Sequence, residues 1–196
     1  MNFLIFDTET TGLPKRYNAR WDDLNNWPRL TQFAFLLMDH EGNELKQYST
    51  LIKPDGWVIP KEQFFIDNNM STERCEKHGE PIFDVIRKFQ YCLKQTDFKV
   101  AHNINFDNPI VGSEMIRNGV THQLFQYKKG LCTMQKTTSF CNIPFPNGRG
   151  TKWPKLEELH EILFEVGFDG AHDALEDVRA TGRCLIECIN RGIIKV

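Results

Sequence analysis

Short apolar runs come first along the chain, and helical spacing follows. Asn2 to Asp7 (NFLIFD) has the length and composition of a strand, and a Thr-Gly turn comes after it. Leu30 to Met38 (LTQFAFLLM) is apolar nearly throughout, as a strand covered on both faces would be. Glu41 to Asn43 supplies turn residues, and Glu44 to Lys53 reads as a third strand, giving an antiparallel meander.

The period then changes. Ser71 is placed to cap a short helix that stops at Gly79, and Pro81 opens the next. There Ile82, Val85, Ile86, Phe89 and Leu93 recur on one helical face. Phe98 to His102 reads as a short strand, and Asn105 to Asn118 as a helix stopped by Gly119. Leu131 to Met134 reads as one more strand. A Pro/Gly loop leads to helices over Pro154 to Phe164 and Ala174 to Ile189. Without repeats or a linker, residues 1–196 read as one α/β domain, with a mixed central sheet of meander plus parallel strands flanked by helices.

Composition narrows the class. A chain of 196 residues can bury a core without staples. Its apolar runs are far shorter than the about 20 residues of a membrane span, and Asp7 interrupts the first. A cytoplasmic protein without a signal peptide or membrane contact is expected. The six cysteines show no CxxC pair, so buried reduced thiols are expected rather than structural zinc. Net charge is −2, which argues against a large basic footprint, yet Met115 to Leu156 contains seven cations and no acid. That stretch is either a local positive surface or an ordinary solvated face.

Candidate chemistry begins with FDTETTG, Phe6 to Gly12. Residues two apart on a strand share a face, so Asp7 and Glu9 point the same way. Carboxylates about 4 Å apart repel by about 4 kcal/mol at an effective dielectric of 20. A bound cation or a retained proton relieves that; a solvated strand end with two incidental acids is the plain alternative. HNINFD puts Asp107 just inside a helix after a strand, and HDALEDVRAT puts His172 five residues before Asp177. Five helical residues turn a side chain by about 140°, so those two converge only if His172 precedes the helix. Asp173 and Glu176 then point elsewhere and read as surface charges.

These three motifs, FDTETTG, AHNINFD and AHDALEDVRAT, span almost the whole chain. In order and spacing the sequence resembles the DnaQ-like 3′→5′ exonucleases with an Asp-Glu-Asp-Asp set plus His, relatives of polymerase proofreading subunits, ribonuclease T and oligoribonuclease. The resemblance implies a ribonuclease-H-like fold. It also implies hydrolysis from the 3′ end of single-stranded DNA or RNA, releasing nucleoside 5′-monophosphates. Two divalent cations, Mg2+ or Mn2+, are implied. Asp7, Glu9 and Asp177 would hold one, Asp7 would reach the second, and Asp107 would act largely through a bound water. A His near its ordinary pKa of about 6.5 suits a general base, and the resemblance gives that role to His172.

For substrate, the resemblance puts the backbone at Glu9 and Thr10 against the 3′-hydroxyl and Leu13 beside the last base. His102, Asn103 and Phe106 would border the terminal nucleotides, and Gln32 matches a position near them. Phe106 is equally a core aromatic, and Gln32 equally a polar residue satisfied within the sheet. Trp153, between Lys152 and Lys155, either stacks on substrate or caps the helix after it. The segment Trp21 to Arg29 looks family-variable and receives no role. The alternative function is an epsilon-like proofreading subunit or nucleic-acid-binding module with a polymerase partner. Such subunits often carry a polymerase-binding tail, which the ending at Val196 does not lead one to expect. No apolar stripe sets an oligomeric state.

Overall fold

The computed structural model describes residues 1–168 and 173–196. Five strands form one mixed sheet in the order β3-β2-β1-β4-β5. β1 (Asn2–Thr10), β2 (Leu30–Asp39) and β3 (Glu44–Leu51) make the antiparallel meander; β4 (Phe98–Ala101) and β5 (Lys129–Cys132) run parallel to β1. The α/β architecture read from the sequence is the one observed. β1 extends three residues past Asp7, so both acids of the first motif lie within the strand.

Eight helices are described: α1 (Gln63–Asp67), α2 (Thr72–His78), α3 (Ile82–Leu93), α4 (Ile104–Arg117), α5 (Gln123–Tyr127), α6 (Thr133–Cys141), α7 (Leu156–Phe164) and α8 (Ala174–Asn190). The Ser71 hydroxyl accepts from the Arg74 N–H and caps α2, while α3 buries all five of its periodic apolar residues. The strand expected at Leu131 to Met134 ends at Cys132, because Thr133 starts α6. α1, α5 and α6 were not anticipated.

Alternation along β1 sorts the core onto two faces. Leu4 and Phe6 join Ile86 and Phe89 of α3 and Ile110 of α4. Phe3 and Ile5 join Leu159 of α7 and Val178 and Leu185 of α8. α8 lies close over the sheet: a Cβ on Gly182 would stand 2.8 Å from the Met38 methyl carbon. All six cysteines are free thiols, five of them buried. Among the described residues no helix is long and apolar enough to cross a membrane.

The Trp21 to Arg29 segment, given no role above, is an anchor. Trp21 packs its ring against Gly112 of α4, where a Cβ would come within 2.3 Å of it. Glu114, 1% exposed, accepts from the Arg29 Nε at 2.7 Å and from Arg117 at 2.9 Å, and Arg117 also donates to the Leu24 and Trp27 carbonyls. This buried network ties the segment to the helix that carries Asp107.

Candidate active site

Strand alternation decides which acids meet. Odd positions of β1 face α8, so after Phe3 and Ile5 the same face presents Asp7 and Glu9. α8 crosses this face, and its first turn brings Asp177 to them. Carboxylate oxygens of Asp7, Glu9 and Asp177 all lie within 4.8 Å of one another, and each side chain is half-buried. Asp173 is exposed, as read above, and also caps α8, accepting from the Leu175 N–H at 2.9 Å. Glu176 is half-buried and pairs with Arg179 at 2.8 Å.

Asp107 arrives from the opposite face. α4 follows β4 after His102 and the left-handed Asn103 (φ 77°), and Asp107 sits in its first turn, 2% exposed. Thr8, an even position of β1, points to that face, and its hydroxyl donates to Asp107 Oδ1 at 2.8 Å. The sequence reading missed Thr8; the signal was its place between the two acids, which period-two alternation turns toward α4.

The electrostatics match a crowded set of carboxylates. Burial, then the charge of Asp107, then those of Glu9 and Asp177, hold the Asp7 carboxyl well above its usual range. Glu9 is pushed up to about 7 by burial first, then by Asp177 and Asp173. Burial also raises Asp107, opposed by the hydrogen bond from Thr8. The donors are all carboxylate oxygen, the chemistry that hard divalent cations prefer. The three clustered acids therefore fit such an ion both in geometry and in charge.

The remaining predicted residues scatter around this cluster. His172 lies outside the described residues. Thr10 is buried, its hydroxyl donating to the Gly12 carbonyl at 2.7 Å and shaping the turn. Leu13 stands 75% exposed just beyond. Phe106 is half-buried against the core. His102 is a post between segments: Nε2 donates to the Pro154 carbonyl at 2.9 Å, leaving Nδ1 to accept from the Thr133 hydroxyl at 3.0 Å. Burial lowers its pKa to about 4, so the ring stays neutral. Beside Glu9 opens a pocket of about 140 Å³ bordered by Thr10, Gln32, Phe64, Met70 and Arg74. α1 and α2 build its outer wall, so the unanticipated α1 is part of the site's surroundings.

The exonuclease family model RNase_T matches residues 4–185. The chain belongs to this exonuclease family. It is 34% identical over 187 residues to a PolC-type DNA polymerase III of Streptococcus suis, covering 93% of this chain and 11% of that one. To the 3'-5' exonuclease DinG of Bacillus subtilis it is 27% identical over 190 residues, covering 96% and 18%. The DNA polymerase III epsilon subunit of Treponema pallidum is 28% identical over 180 residues, covering 90% of this chain and 71% of the subunit. The chain thus spans 11% to 18% of the length of the first curated relatives. Among solved structures, exonuclease I of E. coli in complex with a dT13 oligonucleotide superposes with a TM-score of 0.75 at 17% identity, over 97% of this chain and 41% of that one. The ribonuclease-H-like fold of this DnaQ-like exonuclease family is therefore the fold of this chain.

Proposed function

We propose that residues 1–196 work as one metal-dependent 3′→5′ exonuclease domain acting on single-stranded nucleic acid. The observation that carries this reading is the meeting of Asp7, Glu9 and Asp177 oxygens within 4.8 Å, in a member of an exonuclease family. Asp7, Glu9 and Asp177 would hold one divalent cation, and Asp7 with Asp107 would serve a second. Magnesium or manganese bound there supplies Lewis-acid polarisation of the phosphate and stabilises charge on the entering and leaving oxygens.

The chain's own residues supply the rest. His172 takes the proton from the attacking water, whose oxygen bonds to phosphorus as the bond to the 3′-oxygen breaks. The products are a nucleoside 5′-monophosphate and a strand shortened by one residue. Thr8 keeps Asp107 oriented toward Asp7. The pocket beside Glu9, bordered by Thr10, Gln32 and Phe64, is where the terminal nucleotide would enter, with the exposed Leu13 following the turn after Thr10 as the residue to meet the last base. On the β4 side of β1, His102, Asn103 and Phe106 precede or open α4, where they would border the nucleotides next to Asp107.

Digestion of a 5′-labelled oligonucleotide tests this directly. Stepwise shortening with Mg2+ or Mn2+, abolished by EDTA, is expected; folded protein that leaves the label at full length under both metals refutes it. The likeness to PolC-type and epsilon polymerase proteins favours a second reading, a proofreading role beside a polymerase. Recovery of a polymerase in a pulldown supports that role, and a persistent free monomer argues against it.

A further inference from the structure

Resting on the exonuclease reading, we infer that α6 and the hairpin after it form a stacking track for the single strand upstream of its 3′ end. Three large aromatic rings stand in water along this stretch: Phe140 of α6 (38% exposed), Phe145 at the hairpin tip (46%) and Trp153 at its base (61%). Along the sequence these three rings are interspersed with Lys136, Arg149 and Lys155, all exposed. Among the described residues none of these three cations has an ion-pair partner, whereas Lys152 is spent on Glu158. Met115 to Leu156 contains no acid, so nothing in the segment's own sequence repels a phosphate backbone.

The track is built and aimed. Phe145 N–H to the Gly150 carbonyl and Lys152 N–H to the Ile143 carbonyl close the hairpin, and Pro144 bridges Thr151. Pro154 is buried, and its carbonyl accepts from His102, whose other ring nitrogen meets Thr133 at the start of α6. His102 directly follows β4, which neighbours β1, and α4 with Asp107 begins two residues later. Parallel β1, β4 and β5 end on one rim, neighbours about 4.8 Å apart, so the base of the hairpin at Trp153, tied through Pro154 to His102, lies toward the rim that carries the acids. Trp153 is too exposed to serve as a buried helix cap. Rings interspersed with cations are the composition that binds single strands without reading sequence, each stacked base contributing roughly 1–3 kcal/mol.

The test is binding, not cleavage, so its failure is separate from failure of the nuclease reading. Anisotropy of fluorescein-labelled oligothymidylate and oligouridylate, each about ten nucleotides long, is measured in EDTA. Trp153→Leu keeps apolar volume but removes the π face, and is expected to weaken both oligomers about tenfold. Phe145→Leu, away from the Pro154 anchor, should do likewise, while Trp153→Phe retains affinity. Replacing Arg149 and Lys155 together by Ala should flatten the log–log salt slope by about 1.4, at about 0.7 per lost phosphate contact. Tyr127, 81% exposed before the other end of β5, is the control, and Tyr127→Ala should bind as the parent does. Wild-type affinity in both Leu variants, folded by circular dichroism, with an unchanged salt slope, overturns the track.

Discussion

The Thr8 hydroxyl donates to Asp107 Oδ1 at 2.8 Å, joining an acid from one face of the sheet to the strand that presents two acids on the other. Alternation in β1 makes this possible, because Asp7 and Glu9 face α8 while Thr8 between them faces α4. The hydrogen bond favours the ionised form of Asp107 against the burial that raises it. Thr8→Val keeps the shape and removes the donor. Its acid limb of kcat against pH should move to higher pH, with a stability loss of about 1 kcal/mol. An unmoved limb would detach Thr8 from the chemistry.

Metal-free protein should lose stability as pH rises. The Glu9 pKa lies near 7, far above the ordinary glutamate range, with Asp7 and Asp107 raised alongside it. A carboxyl raised on folding binds its proton more tightly in the folded state. Its stabilisation is complete below the ordinary carboxylate range and is lost as pH climbs through about 7. Melting temperatures in EDTA should therefore fall between about pH 5 and pH 8, and saturating Mg2+ should flatten that fall. Melting curves with and without EDTA check both.

Asp7→Asn and Asp177→Asn separate stability from activity. Each removes one charge from a mutually repelling set, so metal-free protein should gain about 1 kcal/mol at pH 8. Oligonucleotide turnover should nonetheless be abolished. Denaturant titration and end-labelled digestion are the paired measurements.

His172→Ala should lower kcat by a factor of about 10² to 10⁴ while leaving Mn2+ binding nearly unchanged, as expected for a base that is not a metal ligand. Cleavage at the parent rate would remove His172 from that role.

Glu114→Gln should destabilise the protein by about 3 kcal/mol, since Arg29 and Arg117 would lose the buried carboxylate that pairs them. Equilibrium unfolding in urea reads this out.

Periodicity made β1, β2, α3 and α8 legible, because each buries a regular apolar face. α6 was silent for a physical reason: its buried face is Thr133, Met134 and Thr137, and Thr137 returns its hydroxyl to the Thr133 carbonyl. α1 spans five residues, too short for a period to register. Strand alternation put Asp7 and Glu9 on one face, while the approach of Asp177 to them was legible only through the family resemblance, because α8 lies at the far end of the chain. Side-chain partners that depend on distant backbone were not legible. His102 reads as a substrate neighbour in sequence, yet Pro154 and Thr133 occupy both its nitrogens. Asp173 is the exposed charge its sequence suggests, but its capping of α8 and its effect on Glu9 were not legible.

Calorimetric titration of Mn2+ into metal-free protein, with a nucleoside 5′-monophosphate present, bears most directly on the acid cluster. Wild-type protein should take up the ion with release of protons at pH 7, because carboxyls raised toward that pH must ionise to bind it. Asp177→Ala should lose that uptake while remaining folded. A folded wild-type protein that gives no binding heat, or an Asp177→Ala variant that binds Mn2+ as the wild type does, would contradict the account.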